Sequence, residues 1–159
     1  MHYFGGKARI AKDIAARITG DGHKVVVEPF CGGLNVTAAL VQAGAQVVAL
    51  DGNLALINMY KAYESGWRPP ATVSEEEYRK LKETKDPRDP MTAFAGFACS
   101  FSGRYFGGYA RNKRGGDYVA WATRGLAKKF DAIGPHGAWI EHCDYRNLPV
   151  FEGWAIYAD

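Results

Sequence analysis

The chain has 159 residues, enough for one domain with a substantial core and no need of a second. Hydrophobic residues make up 47% and charged residues 23%, a soluble globular composition. No apolar run approaches the roughly 20 residues of a membrane span, and Met1-His2-Tyr3 lacks the apolar core of a signal peptide, so the expected location is cytoplasmic with no membrane partner. Three cysteines, Cys31, Cys99 and Cys143, argue against a disulfide framework and do not sit beside the four histidines at metal-ligand spacing. The net charge of +3 is too small by itself to demand a polyanionic partner.

In chain order, Tyr3-Phe4-Gly5-Gly6-Lys7 is a glycine-loosened start with two aromatics and a cation, followed by Ile10, Ile14, Ala15 and Ile18 at helical spacing. Val25-Val26-Val27 is a short β-branched run that suits a strand buried on both faces. Glu28 and Pro29 end it, Gly32 and Gly33 allow a tight turn, and Asn35 is placed to cap a helix over residues 36–43 that Gly44 stops. Residues 46–50 read as a second strand carrying Asp51 at its tip. A glycine turn after one strand and an acid at the tip of the next is a nucleotide-binding arrangement, because backbone N–H groups approach the ligand while the carboxylate accepts from ribose hydroxyls. The dinucleotide fingerprint G-x-G-x-x-G is absent, so a ligand carrying adenosine without phosphates is expected. An ordinary βαβ unit whose glycines only make a turn is the plain alternative.

Residues 54–63 carry apolar side chains at helical spacing, and the segment from Gly66 to Pro70 ends that helix. Residues 74–89 are dense in both charge signs, with a capping box offered by Ser74 and Glu77, and read as a solvated helix without a function. Residues 91–101 return to apolar helical composition. Between residues 101 and 129, Arg104, Arg111, Lys113, Arg114, Arg124, Lys128 and Lys129 stand against Asp117 alone, so this segment exceeds the net charge of the whole chain. Glycines at 103, 107, 108, 115 and 116 and the aromatics Phe101, Tyr105, Phe106, Tyr109 and Tyr118 interleave with these cations. Cations neutralise phosphates and aromatic faces stack on bases, which gives a nucleic-acid-contacting loop. A helix is expected from Trp121 to Ile133, a third strand from Ala138 to His142, and a fourth from Trp154 to Ala158 ending on Asp159.

Taken together, these segments resemble the Dam-like (class alpha) adenine-specific DNA methyltransferases, in particular their phage-type members. Tyr3 to Lys7 is similar to that family's N-terminal cofactor motif, and Glu28-Pro29-Phe30-Cys31-Gly32-Gly33 to its glycine motif. Asp51-Gly52-Asn53 with Leu56 to Tyr60 is similar to its acidic second-strand motif and the helix behind it. Residues 101–113 resemble its target-recognition region, and Ile156-Tyr157-Ala158-Asp159 the strand leading into its D-P-P-Y motif. Two departures stand out: Leu34 occupies the place of the second glycine, and no Pro-Pro-Tyr follows Asp159.

The resemblance implies an α/β, Rossmann-like methyltransferase sheet in which the fourth strand lies beside the first. Residues 1–66 and 134–159 would form the core, with 67–133 an inserted helical and basic segment. It further implies S-adenosylmethionine as cofactor, bordered by Tyr3, Lys7, Phe30, Gly32, Asp51, Asp144 and Tyr145. The implied substrate is double-stranded DNA with a flipped adenine, contacted by Arg104, Tyr105, Tyr109, Arg111, Asn112 and Lys113. Direct methyl transfer would use Asp159 as acceptor for the amino hydrogens and leave Cys31 without a nucleophilic role. The implied setting is a bacterial or phage-infected cell. The absent Pro-Pro-Tyr leads to the expectation of a truncated chain, inactive without a complementary C-terminal segment; the alternative is a catalytically inactive DNA-binding or regulatory fragment.

Overall fold

Val25-Val26-Val27 forms a strand because its side chains have apolar neighbours on both sides. Val26 belongs to the large core beneath the helices, whereas Val27 joins Val48 and Leu50 in a smaller cluster on the opposite face, covered by Cys143, Leu148 and Trp154. The computed structural model describes residues 3–111, 117–148 and 151–159. Its elements run α1 (Ala11–Gly20), β1 (Val25–Glu28), α2 (Asn35–Gln42), β2 (Gln46–Asp51), α3 (Leu54–Glu64), α4 (Glu75–Thr84), α5 (Pro90–Ala98), α6 (Tyr118–Ile133), β3 (Ala138–His142) and β4 (Ala155–Ile156). The four strands form one all-parallel sheet in the order β3-β2-β1-β4, with Val26 opposite Val47 and Ala155. This is the Rossmann-like methyltransferase sheet expected, with β4 beside β1.

The central strands gather their polar ends at one edge. Glu28, Asp51 and His142 are the last residues of β1, β2 and β3, and all three strands are parallel, so the connecting turns after them meet above the sheet. Ligands of open α/β sheets bind at this edge. Within the segment 67–133, α5 packs against α3 and α6 against α2, so its apolar helices share the core beside the sheet.

Three local expectations are corrected. Asn35 does not cap α2: Leu34 occupies the cap position in the left-handed conformation (φ 56°), and Asn35 is the first helical residue. Full burial of the Leu34 side chain, worth about 1.5–3 kcal/mol, offsets the roughly 1–2 kcal/mol that this backbone costs a residue with a Cβ. The helix expected from Trp121 starts earlier, at Tyr118, because the Asp117 carboxylate accepts from the Ala120 N–H and caps it. Strand β4 is shorter than the expected residues 154–158. It pairs only with Val26 and Val27, although the Tyr157 N–H still donates to the Val27 carbonyl (2.9 Å).

Candidate functional site

The turn between β1 and α2 is pinned from four directions. The Cys31 N–H donates to the Leu50 carbonyl (2.8 Å), and the Gly32 N–H donates to Asp51 Oδ2 (3.0 Å), which ties the turn to the tip of β2. From below, the buried Tyr60 hydroxyl donates to the Gly32 carbonyl (2.6 Å). From α6, Lys129 Nζ donates to the Gly33 carbonyl, and burial brings this lysine down to about 8. From above, Tyr3 presses on both glycines: a Cβ at Gly32 would come within 2.8 Å of the Tyr3 ring, and one at Gly33 within 2.9 Å of Tyr3 Cβ. The glycines are therefore needed for close approach as well as for turning.

Above this turn lies a cleft of about 330 Å³ whose walls include residues 3–7, Glu28, Phe30, Asp51, Tyr157 and Asp159. Asp51 is half-buried at the tip of β2. Each of its oxygens accepts one backbone N–H, from Gly32 (3.0 Å) and Asn53 (2.9 Å), so each keeps a lone pair for a further donor. Lys7 forms an ion pair with Asp159 across the cleft. Glu28 lies on the floor, 3% exposed, and its Oε2 accepts from the Thr37 hydroxyl (2.5 Å). Burial pushes its carboxyl up to about 8, against the lowering effect of that hydrogen bond. Burial, with Asp51 and Cys31 nearby, likewise holds the Tyr3 hydroxyl up at about 12.

The basic loop adjoins the same wall. The Phe4 N–H donates to the Gly103 carbonyl (3.2 Å), and the Arg104 guanidinium stands 5.9 Å from the centre of the Phe4 ring. Phe4 and Phe101 are exposed there, at 64% and 71%. One N-terminal segment thus forms a side of the cleft and carries the loop.

This geometry joins a glycine turn, an acid at each of two strand tips and a basic loop, and the sequence comparison agrees with it. The family of D12 class N6 adenine-specific DNA methyltransferases matches residues 3–91, more than half of the chain. The chain belongs to this family. No curated protein matches it. D12 membership implies a methyl donor of the S-adenosylmethionine type and a DNA substrate. No helix of the described residues is long and apolar enough to cross a membrane.

For a D12 methyltransferase the expected site residues fall into three groups. Tyr3, Lys7, Phe30, Gly32, Asp51 and Asp159 line one cleft. Asp144 and Tyr145 stand beyond its wall, where the Tyr145 ring meets that of Phe30 at 5.7 Å and both are exposed. Asp144 caps the turn at Tyr145–Asn147: its Oδ1 accepts from the Arg146 backbone N–H (3.0 Å) and Nε (2.9 Å), and its Oδ2 pairs with the same guanidinium, which holds the carboxyl well below its usual range. In the loop, Arg104 is exposed, while Arg111 pairs with Glu75 at 2.6 Å. Tyr105 packs between Phe97 and Phe106, and the Tyr109 hydroxyl donates to the Val73 carbonyl (2.8 Å), so both rings are turned toward the protein. Asn112 and Lys113 lie outside the described residues.

Sequence reasoning missed Glu28 as a cleft residue and the pins Tyr60 and Lys129. Tyr60 lies among apolar residues at helical spacing and reads as core. Lys129 reads as one of the DNA-facing cations, and nothing in its neighbours signals a contact 96 residues away.

Proposed function

We propose that the chain binds S-adenosylmethionine and methylates the exocyclic amino group of adenine in DNA. The observation that supports this most is the shared wall: residues 3–7 border the cleft and, through Phe4 and Gly103, hold the basic loop beside it. The residues present fit the cofactor. The glycine turn presents its backbone closely, Asp51 has two free lone pairs suited to a pair of ribose hydroxyls, and Lys7 is a cation for a carboxylate. Phe30 and Tyr145 offer exposed rings to an adenine, and the engaged carboxylate of Asp144 restricts it to a supporting role at that end. When bound, S-adenosylmethionine supplies an electrophilic sulfonium methyl group.

The lone pair of the adenine amine is delocalised into the ring, so the protein must make that nitrogen more nucleophilic. Asp159 does so by accepting hydrogen bonds from the amino hydrogens, which raises electron density at nitrogen as the new bond forms. Its present partner is Lys7, and exchanging that ammonium for the substrate amine leaves Lys7 free for the cofactor carboxylate. Reaching the amine requires flipping the base out of the duplex, at a cost of a few kcal/mol. Arg104, with Arg111, Asn112 and Lys113 farther along the segment, offsets that cost through phosphate contacts. Tyr105 and Tyr109 serve the loop from within.

The test is tritiated methyl transfer to adenine-containing duplex DNA. Asp159→Ala is expected to abolish incorporation by about a hundredfold or more while calorimetric affinity for the cofactor stays within about threefold, as for loss of a group acting in the transition state. Equal turnover by Asp159→Ala and the parent chain overturns the assignment.

A further inference from the structure

The charge-dense helix α4 has a single buried residue, Tyr78, and that residue reaches into the basic loop. Its hydroxyl shares a hydrogen bond with the buried Ser100 Oγ (2.8 Å) and accepts from the Gly108 N–H (3.1 Å). Its ring packs at a tilt against that of Phe106 (centroids 5.3 Å apart) and edge-on against that of Tyr109 (5.4 Å). The chain just before the helix adds a second tie, since the Val73 carbonyl accepts from the Tyr109 hydroxyl, and Glu75 in the first turn pairs with Arg111. The loop they hold is strained: Ser102 (φ 56°) and Phe106 (φ 48°) are left-handed without being glycine, and Gly103 and Gly108 are left-handed too. Such a backbone persists only where its surroundings over-determine it.

We infer that α4 is the platform of the DNA-facing loop 100–111, and that Tyr78 is a positioning residue for DNA binding. This rests on the reading of that loop as a DNA contact. The hydroxyl fixes the two ends of the loop, at Ser100 and Gly108, and the Gly103 carbonyl between them is joined to Phe4 on the cleft wall. Tyr78 therefore sets where Arg104 stands relative to the cleft. Tyr78→Phe keeps the ring and its tilted and edge-on contacts and leaves the Ser100 hydroxyl and the Gly108 N–H without their partner, so the loop can leave its strained shape while the core stays filled.

The experiment measures binding to a short mixed-sequence DNA duplex as a function of salt, and S-adenosylmethionine binding by calorimetry, in the full chain. Tyr78→Phe is expected to weaken DNA binding about tenfold and to flatten the salt dependence by about one unit of slope, with cofactor affinity unchanged within about twofold. A tyrosine that merely supported the fold would lower both affinities together. Arg104→Ala reports separately on the loop. If it weakens DNA binding and a folded Tyr78→Phe does not, the positioning role is overturned while the DNA contact stands. If Arg104→Ala has no effect, the DNA contact fails and the positioning role with it. Should Tyr78→Phe not fold, Ser100→Ala removes one partner alone; the same selective loss is expected, and undiminished DNA binding overturns the inference.

Discussion

The glycine turn at residues 29–34 and the basic loop at residues 100–111 are both glycine-bearing connections, and they are governed by opposite electrostatics. Around the turn, Glu28 is pushed up to about 8, Lys129 is brought down to about 8, and the Cys31 thiol is pushed up, in each case chiefly by loss of water. The loop carries its charges outward, with Arg104 and Arg111 exposed and Arg111 paired with Glu75. Buried groups respond to pH and to small changes of volume, whereas exposed ones respond to salt. The two regions should therefore be separable by the variable that perturbs each.

The largest expected effect comes from volume. Gly33→Ala places a Cβ 2.9 Å from Tyr3 Cβ, an atom next to the backbone that no rotamer change can move away. Overpacking of this kind costs about 1–3 kcal/mol, or roughly ten- to hundredfold in cofactor affinity if Tyr3 is displaced from the cleft wall. Gly52→Ala, next in the chain to Asp51 and with open space around it, should change affinity less than about threefold. Isothermal titration of both variants decides the point. Equal affinities would mean that Tyr3 yields easily and that the turn is not held from above.

The turn was the more legible of the two regions because its signals are local. A β-branched run, two glycines and a helical period lie within twenty residues, and an acid closes the second strand. What escaped was long-range: the hydroxyl of Tyr60 and the ammonium of Lys129 arrive from α3 and α6, and no spacing rule connects them to Gly32 and Gly33. In the loop, the exposure of Arg104 and Arg111 was legible and the inward packing of Tyr105 and Tyr109 was not. Tyr105 and Tyr109 look like base-stacking residues in sequence, yet glycine at position 96 lets Tyr105 and Phe106 settle onto α5, and Tyr109 finds a carbonyl before α4. The Ser74 and Glu77 capping box was read correctly, while the role of the helix it starts was invisible, because one buried tyrosine in a charged run carries little pattern.

A pH series sharpens the contrast at intermediate magnitude. Glu28 has a folded-state value raised to about 8, above its unfolded value, so the folded chain holds a proton that the unfolded chain releases. Stability should then fall as pH rises from near the unfolded value through about 8, and level off above it. Glu28→Gln keeps an acceptor for Thr37 without the charge, and should gain on the order of 2 kcal/mol over the parent at pH 8 with little difference at pH 5. Denaturant titrations at the two pH values measure this. A constant difference between parent and variant would show that Glu28 is ionised throughout and that the floor of the cleft is wetter than its burial implies.

The smallest effect discriminates within the loop. Each free cation that meets a phosphate contributes about 0.9 to the slope of log affinity against log salt, because it releases condensed counterions. Arg104 has no carboxylate partner among the described contacts, so Arg104→Ala should lower the slope by about one unit. Arg111 already shares Glu75 with Arg79, at 2.6 Å and 2.7 Å. Its charge is partly spent, and a phosphate that recruits it must also face the Glu75 carboxylate. Arg111→Ala should accordingly lower the slope by about half a unit, and by a full unit when Glu75→Gln is present in the same chain. Slopes that are equal in both backgrounds would show that the pair dissolves on DNA without cost, and the loop would then act as a set of independent charges.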